Sequence, residues 1–426
     1  MQIMLFPFGS HGDINPFLGV ALALRERGHE VTFAACGYFR ESVERTGLPF
    51  LEWGTAEEYL AAASHPDVWH PLRSFGHLFR NGICPAMRLQ YEMIAERAAA
   101  GPVLVLANCF GFGARMAQEK LGVPVATVHL QPSVLWSGYE TPQLSSIWVG
   151  PGVPRWLKNF QFWLGERFVI DRAVCGETNR YRRELGLPPM SRAAHWWNSP
   201  ECVLGLFPEW FAPPQPDWPA NVHLTEFPLW DEQHHAPAQP ELEAYLAAGP
   251  PPVVFTPGTA NKYAAPFFEA AVEACRRTNR RGLLLTRFAE QIPQSLPDGV
   301  KHVPFTPLSR LLPRAAALVH PGGVRPLSPA MRAGVPQLIM PMAHDQPDNA
   351  ARLRRLGLGE ALPPSRFRGP AVTESLQRIL GSETISQNCR AIAARFEGID
   401  PFATACHVLE EYGARKGLEV SASRSA

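Results

Sequence analysis

Short apolar runs alternate with amphipathic stretches along most of this chain. Residues 2–8 and 29–34 are apolar runs of strand length, and 15–24 carries its apolar residues on one broad helical face that stops at Gly28. Between the first strand and this helix, residues 9–13 are predicted to form a tight loop. The order of strand, loop, helix and strand predicts a βαβ unit, and such units build parallel sheets with right-handed crossovers.

The same alternation continues through the first half of the chain and begins again after residue 240. The further predicted strands are 48–51, 102–107, 124–128, 201–207, 252–256, 282–286, 301–303, 315–319 and 337–340, and the further predicted helices are 113–121, 241–248, 264–278, 308–312 and 403–415. Proline-containing polar stretches separate the halves. We therefore predict an α/β fold with two Rossmann-like domains, 1–207 and 241–400, a linker at 208–240, and a helix and tail at 401–426 that pack back on the body.

Composition excludes several classes of protein. The 426 residues allow roughly two or three cores. A formal net charge of +1 with 19% charged residues gives no global field that would recruit nucleic acid. The eight cysteines show no C-x-x-C spacing, which argues against a zinc site or a disulfide framework and favours a cytoplasmic location. The N-terminus is typical of a strand, not of a signal peptide, and no run of about 18 apolar residues predicts a transmembrane helix.

A glycine-rich turn follows the predicted strand 315–319. In His320-Pro-Gly-Gly the lack of side chains lets backbone N–H groups face outward, and Pro326 suits the first turn of a helix that ends before Gly334. Unpaired N–H groups and the positive end of the helix dipole together form a seat for an anion.

A polar loop follows the next strand, 337–340. It places Asp345 beside Gln346, at the carboxyl end of a strand where open α/β sheets bind ligands. A carboxylate that accepts hydrogen bonds and an amide that both accepts and donates them are suited to adjacent sugar hydroxyls. The two loops together predict a seat for a diphosphate and, one strand later, a clamp for a sugar.

The segments 320–326, 330–336 and 341–350 resemble the donor-binding signature of the UDP-glycosyltransferase-like superfamily, which runs H-x-G-G-x-G-T, A-x-x-x-G-V-P and P-x-x-x-D-Q-x-x-N-A. Among bacterial members of this superfamily, the linker is most similar to the rhamnosyltransferase subunit of rhamnolipid synthesis. The resemblance implies a GT-B fold, with two Rossmann-like domains facing an interdomain cleft. It also implies inverting sugar transfer without a bound metal, and no cofactor besides the nucleotide-sugar donor.

The resemblance implies that a histidine in the loop after the first strand removes the proton of the acceptor hydroxyl, usually oriented by an acid. Here these two positions hold His11 and Asn108. Because an amide cannot stabilise an imidazolium as a carboxylate does, either His11 acts unassisted or Asp13 contributes. Asp13 as the base itself, and a purely structural loop, stay open as alternatives.

For the donor, the resemblance implies that residues around the glycine turn neutralise the leaving diphosphate and that an aromatic residue stacks on the nucleobase. Arg325 stands where the family has glycine, and it either adds a charge-assisted phosphate contact or is a solvated arginine on the first helical turn. The predicted donor-binding residues are Thr259, Thr286, Arg287, Phe305, Thr306, His320, Gly322, Gly323, Val324, Arg325, Asp345 and Gln346.

Two long stretches, 57–89 and 133–168, are rich in aromatic residues. We interpret them as walls of a pocket for an apolar acceptor, with a simple helical subdomain as the alternative. His129 and Gln131, at the end of a strand, either meet the acceptor or are satisfied polar groups. The predicted acceptor residues are His129, Gln131, Trp136 and Trp163.

We therefore predict an inverting, metal-independent glycosyltransferase that moves a rhamnose- or glucose-type sugar from dTDP or UDP to a hydroxyl of a lipophilic small molecule or lipid. A sugar-nucleotide epimerase of the same fold and a non-catalytic sugar-nucleotide-binding subunit are the alternatives. The expected partners are the donor and an apolar acceptor, without nucleic acid, and a peripheral membrane contact stays open.

Overall fold

The computed structural model describes residues 1–70, 73–144, 152–233, 237–258 and 261–418. The chain divides into two compact units. Unit 1 comprises Met1–Pro228 together with Asp400–Ala426, and unit 2 comprises Leu229–Ile399. In the ranges described, no helix is both long and apolar enough to cross a membrane.

Unit 1 contains a seven-stranded sheet in the order β3-β2-β1-β4-β5-β6-β7, in which every pair of neighbours is parallel. Its strands are β1 (Gln2–Phe6), β2 (Glu30–Ala35), β3 (Phe50–Glu52), β4 (Val103–Ala107), β5 (Val125–His129), β6 (Val203–Gly205) and β7 (Val222–Leu224). Its helices are α1 (His11–Glu26), α2 (Arg40–Glu44), α3 (Ala56–Ala63), α4 (Ser74–Leu78), α5 (Cys84–Ala100), α6 (Phe112–Leu121), α7 (Arg155–Gly165), α8 (Asp171–Glu184), α9 (Ala193–Trp196) and, from the C-terminal part of the chain, α17 (Ala403–Arg415).

Unit 2 contains a six-stranded parallel sheet in the order β10-β9-β8-β11-β12-β13. Its strands are β8 (Val253–Phe255), β9 (Gly282–Leu285), β10 (Val300–Val303), β11 (Ala317–His320), β12 (Gln337–Ile339) and β13 (Gly359–Ala361). Its helices are α10 (Pro240–Ala247), α11 (Ala265–Thr278), α12 (Leu308–Leu311), α13 (Val324–Arg332), α14 (Gln346–Arg355), α15 (Gly369–Gly381) and α16 (Glu383–Ala394).

Both faces of the second sheet are buried at its centre, which is why the central strands β8, β9 and β11 are almost continuously apolar. Phe255 and Val319 belong to the core on one face, whereas their neighbours Val254 and Leu318 belong to the core on the other face. Successive side chains of a strand point to opposite faces, so each short strand serves both cores. This doubly covered sheet leaves its strand ends as the accessible places for polar chemistry.

Two details of unit 1 differ from the sequence prediction. The first helix begins at His11, not near Asn15, because Ser10 and Asp13 form a capping box that starts the helix four residues earlier. The strand predicted at 201–207 is followed by β7, which lies in the stretch expected to be a linker and pairs with β6. The C-terminal helix α17 packs on this unit through the hydrogen bond from the Tyr412 hydroxyl to Glu201, at 2.6 Å.

Candidate active site

Each sheet has a point where the strand order reverses, and a crevice for a ligand forms there beyond the carboxyl ends of the strands. In unit 1 the reversal lies between β1 and β4, so the turn after β1 that carries His11 and the turn after β4 that carries Asn108 flank it. In unit 2 it lies between β8 and β11. A Cβ atom at Gly258, after β8, would lie 3.6 Å from Cγ of Pro321, after β11, so these two turns are in contact.

The turn after β1 is a capped helix start. Ser10 accepts a hydrogen bond from Gly12 N at 3.1 Å, and Asp13 Oδ2 accepts from Ser10 N at 2.7 Å. The prediction of a loop at 9–13 is therefore wrong in part, since His11 and Asp13 both belong to the first turn of α1. The protein's own carboxylate occupies the positive end of this helix.

Aromatic rings surround His11, whose residue is 8% exposed. Its ring centroid lies 5.1 Å from that of Phe39 and 5.7 Å from that of Tyr38, and Tyr59 stacks on Tyr38 at 4.6 Å. Burial raises the pKa of the Tyr59 hydroxyl above its usual range. Tyr38 and Tyr59 were not predicted from the sequence, although Tyr38 follows the carboxyl end of β2, the strand beside β1.

Asp13 is enclosed by the turn that it caps. Burial raises the pKa of its carboxyl group to about 6, although the hydrogen bonds from the Ser10 backbone and hydroxyl act in the opposite direction. Its interactions are therefore those of a helix cap whose charge is costly to bury.

Asn108 holds the neighbouring turn through its side-chain amide. Its Nδ2 donates to the carbonyl of Phe8 at 2.7 Å, and its Oδ1 accepts from Phe110 N at 3.2 Å. The residue at the position of the family's acid thus links the turn after β4 to the turn after β1.

His320, at the end of β11, is completely buried. Its Nδ1 accepts a hydrogen bond from Gly322 N at 3.1 Å, so the proton is on Nε2, which donates to Gln337 Oε1 at 2.9 Å. Burial lowers the pKa of this imidazole to about 4, and the bond to Gln337 offsets only part of that effect. The ring is therefore neutral near pH 7, and both its nitrogens shape the glycine turn.

The glycine turn needs glycine at one position and tolerates a side chain at the next. Gly322 has φ +100°, and a Cβ there would lie 2.8 Å from Cγ2 of Ile339. Gly323 has φ −64° and open space around its Cα. Gly323 is the N-cap of α13, and no side chain of the described residues caps this helix. The first N–H groups of α13, including those of Val324 and Arg325, are thus left for a ligand.

Arg325 lies on the first turn of α13, and its Nε is buried without a hydrogen-bond partner among the described residues. Burial lowers the pKa of the guanidinium, the acidic side chains of Glu232 and Asp231 oppose this shift, and Arg287 adds to it. Arg325 as a whole is half-buried, so both interpretations of it, a phosphate contact and a solvated arginine, stay predictions. A half-buried cation with a buried, unpartnered N–H is a candidate contact for an anion.

The acid–amide loop after β12 is tied to the glycine turn. Asn349 Nδ2 donates to Gly322 O at 2.9 Å and to Asp345 Oδ2 at 2.7 Å. Gln346 Oε1 accepts from Met342 N at 2.8 Å and from Ala343 N, so the oxygen of this amide supports its own loop. The two predicted donor loops are therefore adjacent in the fold.

The residues predicted near the nucleobase also come together in unit 2. The Arg287 guanidinium lies 5.1 Å from the ring centroid of Phe305, and Phe305 O accepts from Gln239 Nε2 at 2.6 Å. Thr286 and Thr306 are buried beside them, and Thr286 Oγ1 accepts from Phe288 N at 3.1 Å. Thr259, predicted as a hydroxyl donor, lies outside the described residues.

The predicted acceptor residues have different surroundings. His129 is buried and its Nε2 is 2.7 Å from Asn198 Oδ1, and burial lowers the pKa of its ring to about 4. Gln131 is half-buried at the start of a short turn. Trp136 stacks on Phe162 of α7 with ring centroids 5.2 Å apart, whereas Trp163 on the same helix is exposed. His129 therefore has the surroundings of a satisfied polar group.

Within the part of the chain that the structure describes, no group of three or more His, Cys, Asp or Glu side chains could hold a metal ion.

Comparison with known proteins decides the family. Residues 3–136 match the model of the glycosyltransferase family 28 N-terminal domain, and residues 284–401 match the erythromycin biosynthesis protein CIII-like C-terminal domain. O-mycaminosyltylonolide 6-deoxyallosyltransferase of Streptomyces fradiae is 32% identical to this chain over 438 residues, which cover 97% of each. The chain belongs to the UDP-glycosyltransferase-like superfamily. This glycosyltransferase is also 28% identical to the vancomycin aglycone glucosyltransferase of Amycolatopsis orientalis, over 99% of its own length and 100% of that relative.

Solved structures show the same fold. The glycosyltransferase of kitacinnamycin superimposes with a TM-score of 0.72 at 20% identity and covers 96% of this chain and 98% of its own. The spinosyn rhamnosyltransferase SpnG has a TM-score of 0.69 at 19% identity, over 96% of this glycosyltransferase and 100% of its own chain. The predicted superfamily and the predicted GT-B fold of two parallel-sheet α/β domains are confirmed.

Proposed function

We propose that this glycosyltransferase moves a hexose or deoxyhexose, carried by dTDP or UDP, to a hydroxyl group of an apolar acceptor with inversion at the anomeric carbon. The observation that carries the proposal is the start of α13, whose N–H groups no described side chain caps. It lies at the strand-order reversal of the second sheet, beside the unpartnered Nε of Arg325. Backbone N–H groups, a helix dipole and a guanidinium are suited to neutralise a diphosphate.

In the proposed reaction the acceptor oxygen forms a bond to the anomeric carbon while the bond from that carbon to the diphosphate oxygen breaks. The electron pair of the breaking bond leaves with the diphosphate, and its charge is stabilised by the N–H groups of Val324 and Arg325 and by the Arg325 side chain. The proton of the acceptor hydroxyl passes to a ring nitrogen of His11. Attack opposite to the leaving diphosphate inverts the configuration.

The structure supports His11 over Asp13 as the base. Asp13 accepts hydrogen bonds from Ser10 N and, at 3.2 Å, from Ser10 Oγ, and these bonds start the helix. A carboxylate that left this cap to take a proton would release the turn. An imidazole titrates near neutral pH and suits general-base catalysis. We therefore assign the proton transfer to His11 and the support of its turn to Asp13.

For the sugar, we assign hydroxyl contacts to Asp345 and to the side-chain nitrogen of Gln346. The oxygen of Gln346 is already used by Met342 N and Ala343 N, so this amide can act only as a donor without opening its loop. Asn349, which bonds to both Asp345 and the glycine turn, is a positioning residue.

The names of the relatives support a natural-product aglycone as the acceptor. One relative is named for O-mycaminosyltylonolide and another for the vancomycin aglycone. The spinosyn rhamnosyltransferase has been solved with thymidine diphosphate and with the spinosyn aglycone. We therefore place dTDP before UDP as the carrier of the donor sugar.

Calorimetric titration tests the donor seat. We expect dTDP and UDP to bind about tenfold or more tightly than thymidine and uridine, because the diphosphate makes the charged contacts. Equal affinity of nucleoside and nucleoside diphosphate would contradict the proposal. An assay of donor with and without acceptor tests the reaction: isomerised donor without acceptor would indicate an epimerase, and binding without transfer or hydrolysis would indicate a non-catalytic subunit.

A further inference from the structure

Four large aromatic side chains are exposed along α7 and the turn that follows it. Trp156 is 70% exposed, Phe160 49%, Trp163 46% and Phe168 60%. Large apolar side chains exposed singly are normal, but four in one row are not. We call these four residues the aromatic stripe.

The backbone keeps the stripe in one row. Trp156, Phe160 and Trp163 are spaced by four and three residues, so they share one face of α7. A π-helical turn, Glu166–Ile170, then adds one residue to the repeat, and Phe168 follows Trp163 after five residues. The two rings meet edge to face at 6.2 Å, and Phe160 stacks on Trp163 at 5.8 Å. With an uninterrupted α-helix, Arg167 would take the place of Phe168.

The orientation of α7 is set by its other side. Phe162 is buried and stacks on Trp136 with an interplanar angle of 22°, and Lys158 is also buried. Turning the stripe inward would expose this buried contact. The stripe is therefore a stable part of the surface.

The charged side chains that are exposed along the segment of the stripe itself are of one sign. Over residues 152–172 the exposed charged side chains are Arg155, Arg167 and Arg172, and no acidic side chain is exposed in this range. Arg155 also lies 4.7 Å from the ring centroid of Tyr139. The surface thus combines aromatic rings with arginines.

Both acidic residues of this range point into the protein. Glu166 Oε2 accepts from Arg192 Nε at 3.0 Å, and Asp171 Oδ1 accepts from Ala193 N at 2.9 Å. The carboxyl of Asp171 is also 3.9 Å from Arg167, which it neutralises only in part because the Arg167 side chain is 59% exposed. The acids hold the segment in place and leave the positive charge outside.

We propose that the aromatic stripe binds the surface of an anionic lipid bilayer. Tryptophan and phenylalanine partition into the boundary between headgroups and acyl chains, and arginines beside them pair with lipid phosphates. This combination favours a bilayer over a second copy of a chain whose net charge is close to zero. The proposal concerns a surface of unit 1 and does not depend on the sugar-transfer reaction.

Co-sedimentation of the full chain with vesicles tests the proposal. We expect binding to vesicles of equimolar phosphatidylcholine and phosphatidylglycerol, weaker binding to phosphatidylcholine alone, and a decrease with added salt. The triple variant Trp156→Gln, Phe160→Gln, Phe168→Gln should lower the partition coefficient by about tenfold or more, since it removes most of the apolar contact. The exposed Leu89→Gln and Leu121→Gln serve as matched controls and should bind as the unchanged protein does.

A second variant separates charge from apolar contact. Arg155→Gln with Arg172→Gln should reduce the preference for phosphatidylglycerol and keep the weaker binding to phosphatidylcholine. Failure of the unchanged protein to bind either vesicle overturns the proposal. So does a triple variant that binds vesicles normally but needs more of a water-soluble acceptor for half-maximal transfer, because the stripe would then belong to the acceptor site.

Discussion

Two turns of this protein have the same order of elements and opposite chemistry. After β1, a histidine opens α1, and the side chains of Ser10 and Asp13 cap the helix. After β11, a histidine closes the strand, and no described side chain caps α13. A helix start whose positive end already has a carboxylate is a poor site for a phosphate, whereas an uncapped start beside a half-buried arginine is a good one. The cap, more than the glycines, distinguishes the two turns.

The two turns also differ in the charge that their own side chains carry. Burial raises the pKa of Asp13 to about 6, so the carboxylate is held at a cost, and burial lowers the pKa of His320 to about 4, so that imidazole is neutral. The charge that the turn after β11 offers to a ligand therefore comes from Arg325 and the helix N-terminus, not from His320. The proposed division of work follows: one turn handles a proton and the other a diphosphate.

The largest expected effect is on the rate of sugar transfer, when the residue that accepts the proton of the acceptor hydroxyl is removed. His11→Ala should reduce the rate of transfer by about 10³-fold, the range of general-base catalysis, and leave the affinity for dTDP unchanged. Steady-state kinetics with calorimetry measure both. His407→Ala, an exposed histidine on α17, is the matched control. Retained transfer in His11→Ala with loss in Asp13→Asn would move the base to Asp13.

The next effect concerns the shape of the glycine turn. Gly322→Ala should lower the free energy of unfolding by about 2 kcal/mol and weaken dTDP binding about tenfold, because alanine is strained at φ +100° and its Cβ meets Ile339. Urea unfolding and calorimetry measure these changes. Gly323→Ala is the matched control for stability, since its backbone and surroundings accept a Cβ. Equal stability of the two variants would show that the turn adapts.

Substitution of Arg325 should have a smaller effect, which is limited to the affinity for the donor. Arg325→Ala should weaken dTDP binding about tenfold, the value of one charge-assisted hydrogen bond, while thymidine binding stays the same. Arg325→Lys should restore part of the loss. Arg332→Ala, exposed at the other end of α13, should have no effect. If thymidine and dTDP lose affinity equally, Arg325 supports the fold of the pocket and not the diphosphate.

The last effect acts on stability alone and is the pH dependence that Asp13 imposes. The folded protein keeps the Asp13 proton up to about pH 6, whereas the unfolded chain releases it near 3.8, so rising pH through this window costs the protein stability. Asp13→Asn removes this loss. The unfolding free energy of the variant minus that of the unchanged protein should rise by on the order of 2–3 kcal/mol across the window and then stay level.

Urea unfolding at a series of pH values measures this difference, with the exposed Asp298→Asn as control. A difference in unfolding free energy that does not change with pH would contradict this prediction. It would mean that the Asp13 carboxyl is solvated and that its charge does not lower the stability of the folded protein.

The sequence predicted most strand positions because both sheets are parallel and buried, which makes their strands apolar runs between glycines and prolines. It also located the turn of His320. The start of α1 was missed because Asn15-Pro16 is itself a helix-start signal, and the capping box of Ser10 and Asp13, four residues earlier, outweighs it. Proline in the second turn is tolerated at the cost of one hydrogen bond.

The hydrogen-bond partners of the side chains in the site could not be predicted from the sequence. Gln346 has the composition of a sugar ligand, but only the fold shows that its oxygen is used by Met342 N and Ala343 N. Likewise His320 has the appearance of a phosphate ligand, and only the fold shows both ring nitrogens bonded within the protein. Tyr59 reaches the surroundings of His11 from α3, a contact between distant parts of the chain that no local pattern encodes.

The central claim is that the uncapped start of α13 seats the diphosphate. A crystal structure of the protein with dTDP tests it most directly. The account predicts phosphate oxygens at about 3 Å from the backbone nitrogens of Val324 and Arg325, with the Arg325 guanidinium turned toward them. A diphosphate bound elsewhere, with those two N–H groups facing solvent, would contradict it.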